Sequence, residues 1–200
     1  MDLESISDSL KEFFHKGSSA FYTAPGQSYG PAQSRWSQTP IRYSPNVPDP
    51  GLAGITDTNQ FGHSKITMYP NSDEFRTNYG GNQSDIVRHE SAHAILDSMP
   101  DSDAQLASMT SKNPSFNPVQ QQLTAQQRFG NMTSEAPAYA VEKGMSQRYG
   151  VPEQQRQQFL ENMHAQLSTV DPKRAAMYAR LAGINPNAQT TASIKPGATQ

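Results

Sequence analysis

The pentapeptide His89-Glu90-Ser91-Ala92-His93 constrains this chain more than any other stretch. On an α-helix, with about 100° and 1.5 Å per residue, the two histidines lie one turn apart and roughly 40° apart in azimuth. Both imidazoles therefore project to one side and offer two nitrogen ligands to one metal. Glu90 falls about 60° beyond His93 on the same wheel. That is too far round to share the coordination shell easily, yet close enough to reach a water that the metal holds. A catalytic zinc keeps three protein ligands and one open position, and lowers the pKa of water there to about 7. A glutamate so placed is a general base that takes the proton and passes it to a leaving amine.

The flanks predict a helix here. Asn82 or Ser84 can cap its start, Asp85 puts negative charge in the first turn, and Ile86, Val87, Ile95, Leu96 and Met99 are spread around the cylinder. A helix apolar on several sides is buried. Small residues at Ser91, Ala92 and Ala94 let other elements approach closely, as under a cleft. The competing reading is an ordinary helix whose histidines fall four apart by accident, which the full pattern of residue types disfavours.

Residues 86–95, Ile-Val-Arg-His-Glu-Ser-Ala-His-Ala-Ile, resemble the extended zincin metallopeptidase signature. The two positions between Glu90 and His93 are uncharged, as is the one after His93, and a hydrophobic residue follows. The resemblance implies an α+β, zincin-like fold: a small strand region before the His-Glu-x-x-His helix and a helical C-terminal half. It also implies bound Zn2+ and hydrolysis of peptide bonds.

Two histidines leave a catalytic zinc incomplete. Glu135, Glu142, His164, Asp97, Asp101 and Asp103 all lie downstream as candidate third ligands. The segment Thr133-Ser134-Glu135-Ala136-Pro137-Ala138-Tyr139 is similar to the Glu-x-x-Ala-Tyr segment of small gluzincins, and this resemblance selects Glu135, on a second helix packed against the first. Ser134 would cap that helix and Pro137 would sit in its first turn. The Asn-Glu and Glu-x-x-x-Asp arrangements of larger gluzincins are not present. Tyr139 shares a helix face with Glu135, where its hydroxyl either steadies a developing oxyanion or belongs to a core aromatic. Glu142 shares that face too and is the alternative ligand. Asp97, four residues after His93, either accepts the second ring N–H of His93 or is a solvated carboxylate at a helix end. His63 borders a strand and the cleft at most; His15 and His164 read as surface positions.

Two hundred residues with 34% hydrophobic content and a mean hydropathy of -0.75 suggest one domain plus arms, with a modest core. A net charge of -2 without a basic run offers no electrostatic footprint for nucleic acid or an anionic membrane. There is no cysteine, so disulfides and Cys-ligated zinc are excluded. The N-terminus lacks a basic region followed by an apolar run, and no stretch is long enough to span a bilayer. The expectation is a cytoplasmic protein, or one delivered by a non-Sec route such as with a virion.

Residues 2–16 predict an amphipathic helix with Leu3, Ile6, Leu10, Phe13 and Phe14 on one side and Gly17 as its stop. With the Gly/Pro/Ser-rich linker that follows, residues 1–34 form an arm that folds back on the core or docks on a protein partner. A zincin-like metallopeptidase domain over 35–183 and a flexible tail over 184–200 complete the chain. Short strands are expected at 41–43 and 65–69, separated by a Pro- and Gly-rich loop, with Ile66 and Met68 on one face of the second. The resemblance implies that 65–69 is the edge strand bordering the cleft, where substrate backbone pairs in extended form. Residues 100–122 read as a polar, flexible rim. Helices follow at 152–169, with a Phe159, Leu160, Met163 and Leu167 stripe, and at 172–182, capped by Asp171 and stopped by Gly183.

The expected activity is that of a zinc metallopeptidase acting on a peptide or protein. His89, His93 and Glu135 hold zinc, Glu90 activates water and Tyr139 assists. Two other classes fit the same residues: a structural or assembly component of a virion or secretion machine that keeps the site without turnover, and a metal-dependent hydrolase of cell-wall material.

Overall fold

A computed structural model describes residues 32–125 and 132–185. The expected N-terminal helix at 2–16, most of its linker and nearly all of the tail lie outside the described residues. What is described is an α+β arrangement: a small sheet, then a helical majority.

Four strands, β1 (Ala32–Gln33), β2 (Pro40–Tyr43), β3 (Gly54–Thr58) and β4 (Ser64–Met68), form one sheet in the order β1-β2-β4-β3. β2 and β4 run parallel, with Ile41 opposite Ile66; β3 returns antiparallel to β4, with Thr56 opposite Ile66. The two strands expected from alternation are both present, and Ile66 and Met68 are fully buried as their shared face requires. Two corrections follow. β4 is paired on both sides and is not the edge, and the intervening loop contains β3, an outer strand of the sheet among the described residues. The β3–β4 turn is built by Asn59, whose side-chain oxygen accepts the N–H groups of Phe61 and His63 at 3.0 and 3.1 Å, and by Gly62 at φ 76°.

The helices are α1 (Asp73–Thr77), α2 (Gln83–Leu96), α3 (Ser102–Ser111), α4 (Phe116–Ala125), α5 (Met132–Ala140), α6 (Met145–Tyr149), α7 (Glu153–Val170) and α8 (Pro172–Ala182). The Asn82 side chain caps α2 by accepting the Asp85 N–H, so Asn82 rather than Ser84 is the cap. Every residue of α2 except Ser84 and His93 is buried, as its apolar circumference predicts. It packs against β3 and β4 on one side and α5 and α8 on others. A cation closes its C-terminal end: Arg174 of α8 donates to Ile95 O at 3.1 Å and, two residues past the helix, to Ser98 O at 2.9 Å.

α7 and α8 form where their patterns place them. Phe159, Leu160, Met163 and Leu167 are fully buried. The Asp171 side chain accepts the Arg174 N–H at 3.0 Å, Pro172 opens α8, and Gly183 ends it at φ 74°.

The segment 100–122 is no flexible rim. It folds into α3 and α4, whose Leu106, Met109, Val119 and Leu123 join the core with 5% exposure or less. The stripe is narrow, at i, i+3 and i+4 spacing within otherwise polar sequence, and Pro118 falls in the first turn of α4, where its missing N–H is harmless. Among the described residues, no helix is long and apolar enough to cross a membrane.

Candidate metal centre

Helix α2 carries His89 and His93 one turn apart, as the spacing requires, with their Nε2 atoms 3.2 Å from each other. Glu135, on α5, brings its carboxylate between them, with Oε2 3.3 Å from His89 Nε2 and Oε1 3.6 Å from His93 Nε2. Among the described residues these three form a group able to hold a metal ion. A cation about 2.0–2.1 Å from each of three tetrahedral ligand atoms needs them about 3.3–3.4 Å apart. The three contacts, made through both Glu135 oxygens, each lie within a few tenths of an ångström of that spacing.

The outer faces of both imidazoles are engaged. His89 Nδ1 lies 2.9 Å from Glu142 Oε1, and Glu142 is completely buried. It also accepts the Tyr79 hydroxyl at 2.9 Å. His93 Nδ1 lies 3.2 Å from Asp97 Oδ2 and 3.0 Å from Ser134 Oγ, which itself donates to Asp97 Oδ1 at 3.1 Å. With carboxylates accepting at both Nδ1 positions, each ring carries its proton outward and turns an Nε2 lone pair inward. Inward lone pairs this close to each other and to a carboxylate are mutually repulsive unless a cation sits among them.

The electrostatics agree. Burial opposes charging of His89, yet hydrogen bonds to Glu135 and Glu142 outweigh it and raise its pKa well above 6.5. Burial likewise opposes charge on His93, and Asp97 and Glu135 overcome it, pushing the ring up to about 9. Glu135 would be raised by burial, but the two histidines hold it far below the usual carboxylate range. The pocket is thus built for positive charge.

Glu90 is 5% exposed, and burial raises its pKa against the opposing pull of His89, His93 and the Thr56 hydrogen bond. Thr56 of β3 donates to Glu90 Oε2 at 2.8 Å and to Glu90 O at 2.9 Å. Gly54 permits this close approach: a Cβ there would lie 3.0 Å from Glu90 Oε1 and 3.1 Å from Ile86 Cγ2. Tyr139 packs its ring edge against His89, centroids 4.4 Å apart, and burial pushes its hydroxyl far above the ordinary phenol range.

These side chains open into a cleft of about 430 Å³. One wall is residues 51–56, running into edge strand β3; the other carries Ser134, Glu135 and Tyr139. Sequence reasoning thus brought together the residues that do converge: His89, His93, Glu135, Glu90 and Tyr139. Glu142, weighed there as a ligand, instead holds His89 from behind, and Asp97 does the same for His93. Asp101 precedes α3, Asp103 belongs to it and His164 to α7, all outside the group, and His63 borders a different cleft. Two local expectations fail. α5 begins at Met132, so Ser134 lies inside it and binds the His93–Asp97 pair rather than capping. Pro137 is interior to that helix, where its carbonyl accepts the Tyr178 hydroxyl at 3.0 Å. Thr56 and Tyr79 were missed, and Ser134 was read only as a cap; single hydroxyls on separate elements leave no mark in sequence periodicity. No protein-family model, no curated protein and no solved structure matches this chain.

Proposed function

We propose that the protein is a zinc-dependent metallopeptidase with a zincin-like catalytic domain. The observation that carries this reading is the convergence of His89 Nε2 and His93 Nε2, 3.2 Å apart, on the Glu135 carboxylate, whose Oε2 is 3.3 Å from the first and Oε1 3.6 Å from the second, beside the buried carboxylate of Glu90. Two imidazoles and one carboxylate suit zinc in a tetrahedral site with one open position. Zinc bound there would supply a Lewis acid and a water whose pKa is lowered to about 7.

The chain's own groups do the rest. Glu90, its pKa raised by burial and its carboxylate oriented by Thr56, accepts a proton from water at Oε1 or Oε2 and delivers it to the leaving amine. Tyr139 lines the cleft with its phenol kept protonated, so it can donate to a developing oxyanion. The side of β3 that no strand pairs among the described residues borders the same cleft and can take an extended peptide as an added strand. That favours a peptide substrate over cell-wall glycan.

Metal analysis of the purified chain should give about one zinc per chain for wild type and none for Glu135→Ala. Glu90→Gln should keep the metal and lose peptide hydrolysis by about 10²–10⁴-fold or more. A wild-type protein that holds zinc but turns over no member of a peptide library would favour the assembly role, and one that cleaves only cell-wall material the third class. One that binds no metal would end the enzyme reading.

A further inference from the structure

Behind His89 the charges do not end at Glu142. Arg148 of α6 places Nη2 2.9 Å from Asp85 Oδ2 and against Glu142 Oε2, so one nitrogen bridges two carboxylates. Asp85 sits in the first turn of α2 at 2% exposure and also accepts the backbone N–H groups of Lys143 and Gly144 at 3.0 and 2.9 Å. The guanidinium lies over the Tyr79 ring, 4.6 Å from its centroid.

We infer that Arg148 is a positioning residue of the metal centre: by joining Glu142 to Asp85 it fixes the carboxylate that orients His89, and it ties the helix carrying both histidines to the segment after the helix carrying Glu135. The inference rests on the metal-centre reading of the site. One Glu142 oxygen is occupied by His89 and Tyr79, the other by Arg148. Without the guanidinium, two buried carboxylates lose their shared cation, and Glu142 keeps only the Tyr79 hydroxyl besides His89 to hold it against the imidazole. The His89 ring is then less firmly oriented, and its Nε2 is no longer fixed at 3.2 Å from His93 Nε2 and 3.3 Å from Glu135 Oε2, where a metal needs it. Gly144 belongs to the same device. Its φ of -85° suits any residue, but a Cβ there would overlap Arg148 Nη1 and come within 3.0 Å of Asp85 Oδ2. Alanine at this position therefore displaces the guanidinium without removing a single polar group.

The test measures zinc affinity of the full chain by competition with a chromophoric chelator, alongside thermal melting. Arg148→Met and Gly144→Ala should each weaken zinc binding about 10- to 100-fold, and Arg148→Lys should recover part of the loss by restoring the charge. Arg156→Met is the control: Arg156 is 6% exposed and paired with Glu153 on α7, and it bonds neither Glu142 nor Asp85. It should lower the melting temperature and leave zinc affinity unchanged. If Arg148→Met does not fold, Gly144→Ala and Arg148→Lys carry the measurement. Unchanged affinity in these variants, with wild type binding zinc, overturns the role of Arg148 alone; wild type that binds no zinc removes the metallopeptidase reading and this inference with it.

Discussion

Glu142 Oε1 lies 2.9 Å from His89 Nδ1 with no solvent access to the carboxylate. The pairing sets which nitrogen of His89 faces the cleft, so the glutamate acts on the site without being a ligand. Glu142→Gln keeps the shape but offers a weaker, uncharged acceptor. Zinc affinity should fall about 10- to 100-fold while stoichiometry at saturation stays unchanged. Chelator competition followed by metal analysis at saturation checks both; a halved stoichiometry with unchanged affinity would contradict the assignment.

The metal-free and loaded proteins should respond oppositely to pH. His93 is raised from 6.5 to about 9 in the folded, metal-free chain. A folded pKa above the unfolded one gives stability that is complete below pH 6.5 and is lost as pH rises toward 9, here about 3 kcal/mol. Chelator-treated protein should therefore show a falling melting temperature over that interval. Zinc-loaded protein, whose imidazole holds metal in place of the proton, should not fall. A flat profile after chelation would count against the buried carboxylate-histidine pairing.

Thr56 donates to Glu90 Oε2 at 2.8 Å, and this bond favours the ionised carboxylate. Thr56→Val removes the donor at nearly constant shape, so the Glu90 pKa should rise further. The acid limb of the kcat/KM profile would move to higher pH, with a smaller effect on the alkaline limb. An unmoved acid limb would mean that Glu90 is not the titrating base.

Leu106 is fully buried between α3 and the rest of the core. Leu106→Ala should cost about 2–5 kcal/mol in chemical denaturation. In a mobile surface rim the same change would fall within about 0.5 kcal/mol, so the measurement separates the two descriptions of residues 100–122 directly.

What could be read from the chain itself is what local geometry enforces. A helix repeat puts His89 and His93 on one face and Glu90 beside them whatever surrounds them. Asp171, Pro172 and Gly183 bound α8 by capping rules that need no partner, and alternation at Ile66 and Met68 is a property of any half-buried strand. Edge strand β3 escaped notice because it faces α2 through Gly54 and Thr56 rather than through large apolar side chains, leaving no alternation to see. The narrow apolar stripes of α3 and α4 were hidden among Gln, Ser, Asn and Pro.

The choice between Glu135 and Glu142 belongs to tertiary structure. Both face the α2 helix from the same stretch of chain. The packing of α5 on α2 sends Glu135 to the Nε2 side of His89, and the turn after α5, pinned to Asp85 and Arg148, sends Glu142 to the Nδ1 side. Residues distant along the chain meet at ligand distances only when several elements are docked to within an ångström, and no periodicity in sequence encodes that docking. Helix geometry alone pairs the imidazoles with their base; the docking of α5 and the turn after it selects which carboxylate joins them and which stands behind.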